Sequence, residues 1–336
     1  MPAFVAGSGG TSEPPPAPRR LRGVALALHP GESERQGFEY PPDPASVAEF
    51  GATHVVLAPT WTLTDVRADD IRPGDVSDTA LRSVIRRAHR AGLGVVLLPH
   101  LMLERASVGE WRGSLRPRDE ARFFRSYARF IHHYAVLAAH ERIEALVIGS
   151  ELSSLTQRRH SVRWSALAAD IRQRFSGRLV YVTNHDALDR DAAFASVDVV
   201  GVSAYFPLST DREASLESLR ASWRKHAANL RRFAHAVGKP LWLAELGYPS
   251  RDGAALAPWD DTTAAPADLE EQRRAFAAAR LGLADEGAWG DGGWLEGVAV
   301  WTVFGLGGRA DRHFTFVGKP ASAEVERLLR SGTERR

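Results

Sequence analysis

The sequence predicts an α/β protein built as a single (β/α)8 barrel of the TIM type, and three observations carry that expectation. From residue 21 onward, short apolar runs alternate with longer amphipathic ones, the pattern of parallel strands joined by crossover helices. Most of the apolar runs are continuous in Val, Leu, Ile and Ala instead of alternating with polar residues, as strands buried on both faces are. The chain has 336 residues, 44% of them hydrophobic, which is enough for one large core and ordinary for a barrel of this kind. Eight strand-helix units with no second composition regime favour closure, although an open α/β sheet shares the same alternation.

The first twenty residues, MPAFVAGSGGTSEPPPAPRR, are rich in Gly, Pro and Ser and lack the apolar h-region of a secretory signal. They are read as a disordered leader over 1–20, with one barrel domain over 21–332. With no signal visible the expected compartment is cytoplasmic by default, and a trimmed leader would leave the same reading. The strands are then expected at 21–28, 53–61, 94–103, 144–152, 178–186, 197–208, 240–248 and 295–304. Helices are expected over 78–91, 117–140, 161–175, 213–237, 268–285 and 320–331, clearest in 117–140. There Phe124, Tyr127, Ile131, Tyr134 and Ala138 recur at steps of three and four residues and mark one packed stripe. Segments 30–46, 104–117 and 249–266 are expected as the loops that shape any cleft.

Composition narrows the function. The formal charge is only +2, and nearly all basic residues are Arg, with Lys only at Lys225, Lys239 and Lys319. The arginines are scattered over helices, as at Arg82, Arg86, Arg87 and Arg90, which reads as solvated helix faces and not as a nucleic-acid stripe. The absence of cysteine excludes disulfides, thiolate metal sites and a cysteine nucleophile. No run approaches the roughly 18 apolar residues of a membrane span. His132 and His133 are neighbours on a helix and point apart, so they cannot form an i, i+4 metal pair. The glycine clusters at Gly7-Ser8-Gly9-Gly10 and Gly305-Leu306-Gly307-Gly308 carry no phosphate-loop or dinucleotide pattern. No metal or organic cofactor is expected, and nothing in the sequence fixes an oligomeric state.

In a barrel of this type the reactive groups come from the C-terminal ends of the strands. One polar or aromatic residue stands near each of those ends, in order His29, Trp61, His100, Glu151, Asn184, Tyr205, Glu245 and Trp301. Two are glutamates closing apolar strands, Glu151 after Leu146-Val147-Ile148-Gly149-Ser150 and Glu245 after Leu241-Trp242-Leu243-Ala244. Either one alone could be a buried carboxylate capping a loop or pairing with an arginine. Together, on the fourth and seventh strands and beside aromatic strand ends, they suit glycosidic cleavage: one carboxyl protonates the leaving oxygen and the other attacks the anomeric carbon. Trp259, in the loop after the seventh strand, is an aromatic of the kind that covers a glycan subsite, or that packs its own loop down.

These residues resemble the clan A glycoside hydrolases, most closely glycoside hydrolase family 113, the β-mannanases, and the related barrel domain of gene transfer agent proteins. The resemblance runs from 21 to 325. It rests on Leu98-Pro99-His100 with Trp111-Arg112-Gly113, on Ile148-Gly149-Ser150-Glu151-Leu152, on the run from Val197 to Leu208, on Leu243-Ala244-Glu245-Leu246-Gly247-Tyr248, and on Val300-Trp301. It implies that Glu151 is the acid/base, Glu245 the nucleophile, Tyr205 a hydrogen-bond partner orienting Glu245, and Trp301 the platform beneath the cleaved sugar. His100, Arg112, Trp61 and Asn184 become candidate substrate contacts. Many clan A enzymes have an asparagine directly before the acid/base to hold the sugar 2-hydroxyl, whereas this chain has the shorter Ser150. Asn184 is then a candidate to make that contact. The implied reaction is retaining hydrolysis of a β-linked oligo- or polysaccharide, with β-1,4-mannan first among substrates. Another bacterial β-glycan is the alternative substrate, and a barrel that binds glycan without cleaving it is the alternative class.

Overall fold

The computed structural model describes residues 20–331 apart from 38, 39, 41, 190, 191, 291 and 306. Residues 1–19 of the leader with its Gly7-Gly10 cluster, Leu306 of the second glycine cluster, and residue 332 of the expected domain lie outside the described residues.

In chain order the elements are β1 (Leu21–Leu26), α1 (Pro30–Gln36), β2 (His54–Leu57), β3 (Thr60–Leu63), β4 (Arg72–Pro73), α2 (Asp78–Arg90), β5 (Gly94–Leu97), β6 (His100–Leu103), α3 (Glu120–His140), β7 (Ala145–Ser150), α4 (Ser161–Arg172), β8 (Arg178–Asn184), β9 (Val199–Ser203), α5 (Leu216–Val237), β10 (Leu241–Leu246), α6 (Leu269–Asp285), β11 (Leu295–Val303) and α7 (Ala321–Arg330). Eight of the strands close a parallel barrel in the order β1-β11-β10-β9-β8-β7-β5-β2, so the closed alternative is the one adopted. Inside it, Leu21, Val56, Val96, Val147, Val180, Val182, Val199 and Trp242 fill the lumen. Each such side chain contributes about 1.5–3 kcal/mol by leaving water. The larger core lies between strands and helices, where α3 buries Phe123, Tyr127, Phe130, Ile131, Tyr134 and Ala138. Phe124 of the expected stripe lies at its edge, only partly buried.

Capping sets several helix starts. Asp119, Ser77, Ser215 and Asp268 each accept a hydrogen bond from a backbone N–H three residues on, satisfying a donor the first turn leaves orphaned. Three arginines of α2 are paired as an outer face would be: Arg82 and Arg86 with Glu141, and Arg87 with Asp43.

Two expected strands are each broken in half by a proline. The runs 53–61 and 94–103 leave the barrel at Ala58-Pro59 and Leu98-Pro99, because proline has no N–H to continue the ladder. Their outer halves, β3 and β6, pair with each other, and β3 also pairs with β4, forming a small separate sheet. Segment 30–46 is not a plain loop, since it holds α1 and the start of a 3-10 turn over Pro44–Phe50. Between β8 and β9 the connection holds a 3-10 turn at Phe194–Ser196 and no α-helix among its described residues, so the eight units are not all strand plus α-helix.

Candidate active site

Both glutamates sit where a strand loses its regular register. Along β7, Val147 pairs with Val180 but Gly149 pairs with Tyr181, so one residue is skipped and Ser150 comes level with the lumen residue Val182. Along β10, Leu243 pairs with Val202 and Glu245 with Ser203, again skipping one residue. In a pleated strand a slip of one residue exchanges the two faces. The two shifts therefore swing side chains at the strand ends from the helix side toward the barrel mouth. Glu151 follows immediately with a left-handed φ of 55°, uncommon for a non-glycine, while its N–H remains bonded to the Val182 carbonyl at 2.7 Å.

The carboxylates are held in different ways. Glu245 is 2% exposed. The Tyr205 hydroxyl donates to its Oε2 at 3.0 Å, and His100 Nε2 lies 3.4 Å from its Oε1. Burial works to raise the Glu245 pKa, but His100, the Arg112 charge and the Tyr205 hydroxyl outweigh it, leaving it below the ordinary carboxylate value. Burial, followed by the Glu245 and Glu151 charges, pushes the Tyr205 phenol well above its usual value, so it stays an O–H donor. Glu151 is also buried and forms an ion pair with Arg112, whose Nη2 lies 2.6 Å from Oε2. Burial opposes the charge on Arg112, yet Glu151, Glu245 and Tyr205 together keep its pKa raised.

Five buried polar atoms gather here without a hydrogen-bond partner among the described residues: His100 Nε2, Arg112 Nε, Ser150 Oγ, Ser203 Oγ and Glu245 Oε1. Buried polar groups are nearly always satisfied, so such a convergence at one place marks a surface built to meet something else. Ser150 and Ser203 lie level with Val182 and with Asn184 and Glu245 respectively, on the ring of strand ends.

A cavity of about 440 Å³ opens beside this group, lined by Trp111, Arg112, Glu151, Asn184, His185, Asp186, Tyr205 and Trp259. The loop after β6 presents the first two. Ser114 closes a tight turn on Trp111, accepting from its N–H and donating to its carbonyl, and the indole lies over Gly113. A Cβ at Gly113 would stand 2.3 Å from that ring, so only glycine fits. Trp259 is half exposed, and its ring stacks on His185 with centroids 6.0 Å apart. Its loop is anchored by buried Arg251, which donates to the Asp260 carbonyl at 2.7 Å and pairs with the Asp260 carboxylate.

Of the residues singled out in the sequence, Arg112, Glu151, Asn184, Tyr205 and Trp259 line the cavity. Glu245, His100, Ser150 and Trp301 adjoin it, with the Trp301 and His100 rings 5.6 Å apart. Asn184 is engaged with its neighbours: Oδ1 accepts from the His185 N–H and from its Nδ1, and Nδ2 donates to Asp186. Trp61 is not brought into the group. It rides on β3, outside the barrel, and packs against Phe130, His133 and Tyr134 of α3 at 5.2–6.2 Å. His29 is likewise turned to Phe304, ring edge to face at 5.6 Å. His132 and His133 are helix-surface residues bonded to Asp170 and Asp78. Trp111, His185, Asp186 and Ser203 are site residues not singled out in the sequence, although Trp111 and Ser203 lie in the runs that carry the family resemblance. The signal for three of them was position alone, since His185 and Asp186 directly follow a strand-end asparagine and Trp111 precedes Arg112.

Comparison with known proteins agrees with this geometry. The model of glycoside hydrolase family 113 matches residues 43–303. The β-mannanase AaManA from Alicyclobacillus acidocaldarius, solved in complex with ManMIm, is 26% identical and superposes with a TM-score of 0.77 over 93% of this chain and 97% of its own. A β-1,4-mannanase of the same family, 20% identical, gives 0.78 over 93% and 99%. A fungal β-1,4-galactanase, 17% identical, gives 0.55 over 91% and 99%, a likeness of fold. No curated protein sequence matches.

Proposed function

The chain belongs to glycoside hydrolase family 113, and from that premise we propose that it is a retaining glycosidase acting on a β-linked glycan, with β-1,4-mannan or manno-oligosaccharide as substrate. The observation that carries the reading is the unequal holding of two buried carboxylates at one barrel mouth. Glu245 is kept ionised among His100, Arg112 and Tyr205, as a nucleophile must be. Its Oε2 is occupied by the Tyr205 hydroxyl, while Oε1, 3.4 Å from His100 Nε2, has no hydrogen bond among the described residues and is the oxygen that attacks.

In the first step Glu245 Oε1 forms a bond to the anomeric carbon as the bond from that carbon to the leaving oxygen breaks. Glu151 delivers its proton to that oxygen. In the second step Glu151 takes a proton from water, the water oxygen bonds to the anomeric carbon, and Glu245 leaves as a carboxylate. Arg112, with Nη2 2.6 Å from Glu151 Oε2, holds the carboxylate that the transfer leaves behind. The Trp301 ring, beside His100, supplies an apolar face for the sugar bonded to Glu245. The similarity to β-mannanases supports mannan as substrate. Ser150, in the place of the clan's usual asparagine, bears on which 2-substituent is read.

The test is product release from β-1,4-mannan, glucan, xylan and bacterial exopolysaccharides by the wild type and by Glu245→Gln, with the anomer of the first product read by NMR. Cleavage that depends on Glu245 and yields the β-anomer is expected. The α-anomer as first product removes the nucleophile role, and binding without turnover by the wild type makes the barrel a recognition module.

A further inference from the structure

The chain between β11 and α7 is sewn to the end of β10 by one buried cation. The Lys319 side chain is fully out of solvent, and its Nζ lies 3.0 Å from Asp311 Oδ1. It also donates to Ser250 Oγ at 2.7 Å and to the His313 carbonyl at 3.3 Å. Ser250, itself buried, completes the knot: its hydroxyl donates to the Asp311 carbonyl at 2.7 Å and its N–H to the His313 carbonyl at 3.1 Å. A serine beside a lysine can be a nucleophile with its base, but here the hydroxyl is spent on a carbonyl and all three ammonium hydrogens have acceptors, so neither is left for a ligand. Burial lowers the Lys319 pKa and Asp311 only partly restores it, so the charge is held at a cost that an apolar side chain of the same length would avoid.

What the knot fixes is the residue after His313. The Phe314 carbonyl accepts from Gln272 Nε2 at 3.3 Å, and the same amide group donates to the Tyr248 carbonyl at 2.9 Å. The Phe314 ring meets Tyr205 edge to face at 5.9 Å. A Cβ on Gly247 would stand 3.0 Å from Phe314 Cδ1, so the ring also lies against the chain two residues past Glu245. Phe314 thus packs on the phenol whose hydroxyl is bonded to Glu245 Oε2. Resting on the reading above, we infer that Lys319 is a positioning residue for the reaction: by pinning the 311–314 turn it seats Phe314, and through that ring it aims the Tyr205 hydroxyl at Glu245.

The test is a double-mutant cycle on β-mannotetraose, run well below the melting temperature, crossing Lys319→Met and, separately, Ser250→Ala with Tyr205→Phe. Ser250→Ala removes one partner and keeps the ion pair, so it decides the matter where Lys319→Met does not fold. In the wild-type background each change is expected to lower kcat/KM, by about tenfold for Lys319→Met. In the Tyr205→Phe background neither is expected to lower it further, because the hydroxyl that they aim is gone. The acid limb of kcat/KM should also move upward in Lys319→Met. The Tyr205 hydroxyl is one of the groups that lower the Glu245 pKa, and the other two, His100 and Arg112, are untouched by the change. A lower melting temperature by itself moves neither readout. Equal losses in both backgrounds, or no loss in either, make Lys319 a fastener of its loop alone and overturn the inference. A wild type that leaves the tetraose intact overturns the mannanase reading on which the inference rests, and the inference falls with it.

Discussion

The Tyr205 hydroxyl donates to Glu245 Oε2 at 3.0 Å, from the end of one strand to the end of the next. Because the phenol is held protonated, the bond fixes which carboxylate oxygen is free and where it points. Tyr205→Phe removes the donor but keeps the ring, which packs edge to face on Phe314 at 5.9 Å. The expected result is a fall in kcat/KM of roughly ten- to hundredfold, the range for one hydrogen bond to a charged group. The melting temperature should move little. A rate close to wild type in steady-state assays removes Tyr205 from the positioning of Glu245.

His100 shapes the acid side of the pH profile. Burial alone would raise the Glu245 pKa, and the largest influence against it is His100, followed by Arg112 and Tyr205. The net value is lowered, so the acid limb of kcat/KM should lie below the ordinary glutamate value of about 4.3. Taking away a lowering influence must move that limb upward. His100→Leu should therefore need a higher pH to reach full kcat/KM, whereas a rate loss that leaves the limb in place would mean that His100 acts on substrate alone.

What could be read in the sequence and what could not divide along a physical line. The closed barrel and the two glutamates were legible because buried parallel strands leave long apolar runs, and a carboxylate ending such a run stands out. The breaks at Pro59 and Pro99 were also legible in principle, since proline cannot carry a ladder, yet the apolar residues on both sides masked them. The placement of Trp61 was hidden for that reason: past Pro59 the strand leaves the barrel and turns its indole to α3. The register shifts on β7 and β10 have no signature in a single sequence, because continuous apolar strands offer no alternation against which a slip would show. Ser203 was hidden in the same way. His185 and Asp186 depend on Asn184 folding its amide back onto them, a loop geometry that residue types alone do not specify.

Gly247 is tied to the site by lack of room. A Cβ there would lie 2.3 Å from the carbonyl oxygen of Trp301, a backbone atom that cannot swing aside. Gly247→Ala must push β11 away from β10 at the level of Glu245 and Trp301. Overpacking of this kind costs on the order of 1–3 kcal/mol, and a shift of the site by even 1 Å lowers the rate by roughly a hundredfold. Both a lower melting temperature and a fall in kcat are expected. Retention of full kcat with unchanged melting would show that the strand ends can part without disturbing the catalytic group.

Glu141 joins α2 to α3 and sets an acid limit on the fold. It is buried, accepts from Arg86 Nε and Nη2 at 2.9 Å and from Arg82 at 2.6 Å, and lies 3.1 Å from His140 Nδ1. Arg86 is the largest cause of a pKa lowered from 4.5 to about 2, with burial opposing and Arg82 and His140 assisting. A carboxylate depressed on folding contributes stability that is present above its unfolded value and is lost as pH falls toward its folded one. The window here is therefore from about 4.5 down to about 2. Arg86 is 56% exposed, so solvent screens part of the interaction, and a contribution on the order of 1–2 kcal/mol remains. Glu141→Gln should lower the melting temperature by a few degrees at neutral pH, with the gap to wild type closing as the pH falls through that window. A gap that stays constant down to the acid end would assign the loss to packing and not to the charge.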